Sequence, residues 1–362
     1  MPEIRPFRVD VPQADLDDLR ARLALTRFTD ELPGSDGAYG VRLDYVKRMV
    51  EYWRTGFDWR AVEARLNAHP QFITEIDGQD VHFLHVRSAN PEALPLILTH
   101  GWPGTVMEYL DVVEPLSEDF HLVIPSIPGF GFSGPTRDKG WDRNRVARAW
   151  AELMGRLGYE RYGAVGNDGG SLISPEIGRS DAEHVVGVHV TQIFSFPSGD
   201  PAEFEGLTEE EQAAVAHLQW FWENMGAFNL LQAQSPQTLA HALADSPAGL
   251  LGWMAQLLGE GLDDDFVLAN IAIHWFCGTA GSSIRFYYED KRAEQPTGPT
   301  TVPIALAGFA DDFRSVRRFA ERDHENIVSW NTYDSGGHYA AHQAPGVLAT
   351  DIRRFFTGLA RR

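Results

Sequence analysis

Apolar positions along the chain fall into three successive patterns. In the first ninety residues they recur at helical spacing: Leu16, Leu19, Leu23 and Leu25 in ADLDDLRARLALTRF, then Tyr45, Val46, Met49, Val50 and Trp53 in DYVKRMVEYWRTGFDW. A Pro/Gly/Ser/Asp loop, ELPGSDGAYG, separates these two predicted helices. Two strand-like runs follow, FITEIDG and QDVHFLHVRS, joined at Asp77-Gly78, a dipeptide suited to a two-residue hairpin turn.

From residue 94 the pattern becomes short, continuous apolar runs: LPLILT (94–99), FHLVIPS (120–126), RYGAVG (161–166) and HVVGVHV (184–190). The first three lead into Gly-rich turns and helical segments, a pattern that predicts a parallel sheet covered on both faces. The alternation stops near Thr191. Residues 191–290 are rich in Trp, Phe, Leu, Ala and Gln at helical spacing, with no predicted strand. It resumes with VPIALAGF (302–309), a helix through SVRRFAER, the strand NIVSWNTY (326–333) and a last helix, LATDIRRFFTGLARR. The expected fold class is therefore α/β, with a core over 91–190 and 291–362, a helical insertion over 191–290 and an N-terminal segment over 1–90.

Composition narrows the function classes. The 362 residues are 43% hydrophobic and 23% charged, ordinary values for a globular protein. With 51 acidic against 31 basic side chains, the formal charge of −20 disfavours nucleic acid and anionic membranes as partners. No apolar run approaches the length of a membrane span, and MPEIRPFRVDVPQADLDDLRARL lacks the layout of a signal peptide. The lone Cys277 can form neither an intrachain disulfide nor a cysteine metal cage. A cytoplasmic protein is expected.

Chemistry concentrates at predicted strand ends. RYGAVGNDGGSLIS carries a strand into Gly166-Asn167-Asp168-Gly169-Gly170 and then a helix, the form of a nucleophile elbow with Asp168 in the serine position. The plainer alternative is a turn aspartate capping a helix. LILTHGWPG places His100–Gly104 after an early strand, where the amides of Trp102 and Gly169 could form an oxyanion hole. YDSGGHYAAHQAP sets His338 behind a glycine pair, suited to a general base, with His342 one helical turn further on. A two-histidine metal site there has no accompanying HExxH-type glutamate, and no metal is expected. Asp311 and Asp312, after VPIAL, stand between Asp168 and His338 in chain order, where a triad acid belongs.

An aspartate nucleophile attacks an sp3 carbon and forms an alkyl ester, displacing an epoxide oxygen or a halide. An epoxide oxygen needs a proton donor, typically a tyrosine hydroxyl; a halide needs N–H donors.

At this point the chain resembles the microsomal-type epoxide hydrolases over nearly its whole length. PFRVDVP through FLHV looks like that family's wrapping extension, and HGWPG, the Asp elbow, DSPAGL, SSIRFYYE and GGHYAA match its landmarks. The resemblance implies an α/β-hydrolase fold with a helical lid and N-terminal extension, and a cofactor-independent hydrolase converting an epoxide and water to a vicinal diol. It implies Asp168 as nucleophile, His338 as base, Asp312 as its acid and Tyr287 as donor to the epoxide oxygen, with Tyr288 as the register alternative.

Two departures stand out. The family elbow usually carries Trp after the nucleophile, and here it is Gly169. The lid normally supplies a second tyrosine, and the position after DSPAGL holds Trp253, which is assigned with His100 to substrate binding. Aromatic residues around HLQWFWENMGAF, among them Trp220, Phe221, Trp222 and Phe228, suit a bulky or aryl substrate or simply lid core. Relatives act in natural-product pathways or in detoxification, and a homodimer is compatible with the fold. A haloalkane dehalogenase and a non-catalytic small-molecule receptor are the alternatives. No G-x-S-x-G elbow exists for a serine esterase.

Overall fold

The computed structural model describes residues 3–259 and 261–359. Its centre is one nine-stranded sheet: β1 (Arg5–Phe7), β2 (Gln71–Ile76), β3 (Gln79–Val86), β4 (Leu94–Thr99), β5 (Phe120–Pro125), β6 (Tyr162–Gly166), β7 (Val185–Val190), β8 (Ile304–Asp311) and β9 (Ile327–Gly337). The spatial order is β1-β2-β3-β5-β4-β6-β7-β8-β9. The pairs from β5 to β9 are parallel, and β1, β2 and β3 extend the sheet antiparallel beyond β5. Every residue of β5 and β6 is buried, which explains why these strands read as unbroken apolar runs.

The β2–β3 hairpin turns at Asp77 and Gly78, with φ of 51° and 76°, a pair of left-handed residues that matches the strand twist. Because β3 pairs with β5, residues 71–86 belong to the central sheet as well as to the N-terminal segment. Three-residue β1 was not expected, being too short to show any alternation. Leu16, Leu19 and Leu23 are buried on the helix Gln13–Ala24, but Leu25 lies past its end and is 79% exposed.

The insertion is helical throughout its regular elements, running from a short 3-10 turn at Pro201–Phe204 to the helix Ala280–Asp290. The N-terminal helices reach it directly: Arg22 donates to the carbonyl of Asp245 (3.1 Å) and Tyr52 to Asp265 (2.6 Å). Among the described residues, no helix is long and apolar enough to cross a membrane. The last three residues of the predicted terminal helix lie outside those described; the rest is found in Pro345–Leu359.

Candidate active site

Asp168 sits between β6 and the helix Gly169–Ser180 with φ 51° and ψ −116°, a strained conformation for a residue with a Cβ. The flanking glycines have a steric cause. A Cβ on Gly166 would run into the carbonyl of Gly170, and one on Gly170 into the carbonyl of Thr99. Gly169 differs: a Cβ there would meet Gly101 Cα at 3.4 Å and Phe286 at 3.7 Å, ordinary contact distances.

The loop after β4 closes over this turn. The Trp102 amide donates to Asp168 Oδ1 (2.8 Å), and the neighbouring Gly169 amide also favours the charged carboxylate. Burial raises the Asp168 pKa above the usual carboxylate value, opposed by the His338 charge and these two amides. His338 follows β9. Its Nδ1 lies 2.8 Å from Asp312 Oδ1 and its Nε2 3.7 Å from Asp168 Oδ2. Asp312, 3% exposed at its side chain, is therefore the carboxylate that meets the imidazole; Asp311 is exposed at the end of β8. Burial works against the His338 cation, but Asp312, Asp168 and Glu108 outweigh it and push its pKa up to about 9. His342 turns away, pairing with Asp111 (2.7 Å) and stacking on Phe266.

A cavity of about 1570 Å³ opens above Asp168 between core and lid. Tyr287 lines it and is the only tyrosine among the described residues that does. Burial, reinforced by the Asp168 charge, holds its hydroxyl well above the usual phenol value, so it remains a proton donor at neutral pH. Tyr288 instead lies under the Arg292 guanidinium, 3.5 Å from the ring centre.

Two sequence assignments are corrected. Trp253 does not line the cavity; its indole N–H donates to buried Gln232 (2.8 Å), because DSPAGL is a helix start, capped by Ser246, whose register turns position 253 aside. Two aromatics pack edge-on against Tyr287, Phe228 and Trp102, each with ring centres 5.9 Å away, and neither brings a hydroxyl. His100 is fully buried behind the loop: Nδ1 contacts the Gly101 carbonyl (3.0 Å) and Nε2 accepts from the Ile127 amide (3.3 Å). Burial drops its pKa to about 4, so it is neutral and structural. Behind these residues Gln192 touches the Asp168 amide and Asp312, and Asn167 links Gln192 to Glu108; this network was not foreseen, because its members come from separate stretches and no motif joins them in the sequence.

The fold and the strand-end carboxylate define an α/β-hydrolase. Family models agree: one described as "Epoxide hydrolase N terminus" matches residues 4–109, and "alpha/beta hydrolase fold" matches 95–275. A Stigmatella aurantiaca protein with an epoxide hydrolase name is 38% identical over 98% of this chain and 85% of its own length. "Epoxide hydrolase 1" of Sus scrofa is 30% identical, covering 97% of this chain and 88% of its own. The solved Aspergillus niger epoxide hydrolase superposes with a TM-score of 0.90 at 30% identity, covering 99% of this chain and 97% of that one. The chain belongs to the epoxide hydrolase family.

Proposed function

We propose that this epoxide hydrolase works through an Asp168 ester, with Asp168, His338, Asp312 and Tyr287 as its catalytic residues. The observation that carries this reading is the division of labour on one carboxylate. Oδ1 takes the Trp102 amide, while Oδ2 faces His338.

Asp168 Oδ2 attacks an epoxide carbon, the C–O bond breaks, and the epoxide oxygen takes the Tyr287 proton. The phenolate recovers a proton from the His338 imidazolium, leaving His338 neutral. His338 Nε2 then accepts a proton from water as the water oxygen adds to the ester carbon. The former Oδ1 becomes the oxyanion, already bonded to the Trp102 amide, with the Gly169 amide as the second donor of the proposed oxyanion hole. Collapse breaks the acyl C–O bond and frees the diol. One water proton ends on the diol and the other on His338, restoring the resting state.

Phe196, Phe221, Trp222 and Phe228 on the cavity wall support a bulky or aryl epoxide as substrate. The single Cys277 suits a reducing compartment, and the cytoplasm is the location we infer.

The test is intact-protein mass spectrometry on His338→Gln after incubation with aryl epoxides and haloalkanes. Without its base the enzyme stalls as the ester, so an adduct carrying the whole epoxide mass is expected, and none when Asp168→Asn is added. Adducts from haloalkanes alone would move the reading to a dehalogenase. Tight binding without any adduct would favour a receptor.

A further inference from the structure

Gln192 lies two residues beyond β7, fully buried, and every hydrogen-bonding group of its amide is engaged. Its carbonyl oxygen accepts from the Asp168 backbone N–H (2.8 Å) and the Ser171 hydroxyl (2.9 Å). Its NH2 donates to Asn167 Oδ1 (2.8 Å) and to the Asp312 oxygen that His338 leaves free. The amide's orientation is unambiguous, because a backbone N–H can meet only the carbonyl end. On the other side Asn167 donates to Glu108 (2.7 Å), and the Ile193 amide is held by Ser315 (2.8 Å), three residues after Asp312.

We propose that Gln192 is a positioning residue of the reaction, which ties the nucleophile elbow to the triad acid and dictates which Asp312 oxygen, and hence which histidine tautomer, serves catalysis. The proposal rests on the ester mechanism above. By holding one Asp312 oxygen with an N–H, Gln192 leaves the other to accept from His338 Nδ1–H. The imidazole lone pair then stands on Nε2, facing Asp168 and the attacking water.

The geometry makes a specific rescue experiment available. In Asp312→Asn the new NH2 cannot face the Gln192 NH2, so the amide turns its oxygen to Gln192 and its NH2 to His338. That forces the wrong tautomer. Adding Gln192→Glu places a carboxylate where the NH2 stood; the amide at 312 turns back and offers its oxygen to His338 Nδ1–H. Asn167 can reverse its own amide as well, because burial raises Glu108 to about 8 and its protonated carboxyl can donate. The charged and titratable groups around His338 are then Asp168, Glu108, Tyr339 and the carboxylate moved from 312 to 192.

Ester formation and decay are measured by rapid quench and intact mass with an aryl epoxide in four proteins: wild type, each single variant and the double variant. Asp312→Asn is expected to slow ester decay by about 10⁴-fold, and the double variant to recover at least about tenfold of that. Gln192→Glu alone, which sets two carboxylates against each other and holds His338 protonated, should move the acid limb of ester decay up by about one pH unit. A merely structural glutamine would give no recovery and no shift. Ester that forms but decays no faster in the double variant than in Asp312→Asn overturns the proposal. Absence of ester in all four proteins overturns the ester mechanism and this proposal with it. If the carboxylate at 192 prevents folding, Gln192→Met, equal in length and uncharged, replaces it. A loss of tenfold or more in ester decay at wild-type Tm supports the role, and unchanged decay overturns it.

Discussion

His338 Nε2 stands 3.7 Å from Asp168 Oδ2, close enough for charge attraction and too far for a hydrogen bond. The two groups are coupled by charge, and the proposed reaction alters that charge. On that pathway ester formation converts Asp168 from an anion to a neutral group and removes one of the carboxylates that hold the resting imidazole near 9. The His338 pKa should therefore fall in the intermediate. Ester decay followed against pH is expected to rise to its plateau with a midpoint at least about one unit below the His338 value in the free enzyme, read by NMR. Coincident midpoints would contradict the coupling.

Tyr287 is the only tyrosine among the described residues that lines the cavity, and Phe228 is one of the rings packed against it. Tyr287→Phe should lower the rate of ester formation from epoxides by about 10²–10³-fold, the usual weight of a positioned acid. Phe228→Tyr adds a hydroxyl on the facing ring and should raise the same rate, by about tenfold at most. Both are read as single-turnover adduct formation.

The elbow glycines should respond unequally to one added methyl. Gly169→Ala meets only ordinary contacts and should keep its fold and its activity within about threefold. Gly166→Ala and Gly170→Ala force a carbonyl aside and should lose about 3 kcal/mol or more, seen as a lowered Tm or no soluble protein.

Buried histidines should make the fold sensitive to mild acid. Burial lowers the pKa of His82 to about 3, and of His100 and His274 to about 4, from an ordinary 6.5. Their folded values lie below the unfolded one, so the unfolded chain binds more protons as pH falls. The stability they contribute is complete above 6.5 and is lost progressively down to about 4, at roughly 1.4 kcal/mol per pH unit for each histidine. Urea midpoints measured between pH 7 and 4 should fall accordingly. The triple variant His82→Gln, His100→Gln, His274→Gln should flatten the slope.

Much of the fold was legible because buried parallel strands leave continuous apolar runs, and each of the six core runs became a strand. β1 escaped because three residues form no pattern. Asp168, His338 and the Asp311-Asp312 pair stood out because each stands at a strand end, beside glycines or acids with a steric or chemical reason to be there; Asp312 was singled out only by the family resemblance, and in the structure it is the one that meets His338. Trp253 and His100 were misplaced for a different cause. A position counted from a motif does not say which way a helix face turns or whether a loop histidine points into a cavity. Phe228 was seen as one of many lid aromatics, and only the packed lid singles it out.

The amino-acid order by itself determined the six core strands, the helical insertion and the glycine-flanked turn that carries Asp168, because those follow from local periodicity and the space that glycine leaves. Tertiary structure alone decided which groups meet. Gln192 reaches Asp312 across 120 positions and Asn167 reaches Glu108 across 59. Such contacts depend on how the strands are ordered in the sheet and on side-chain direction, and neither is encoded in any local stretch of the chain.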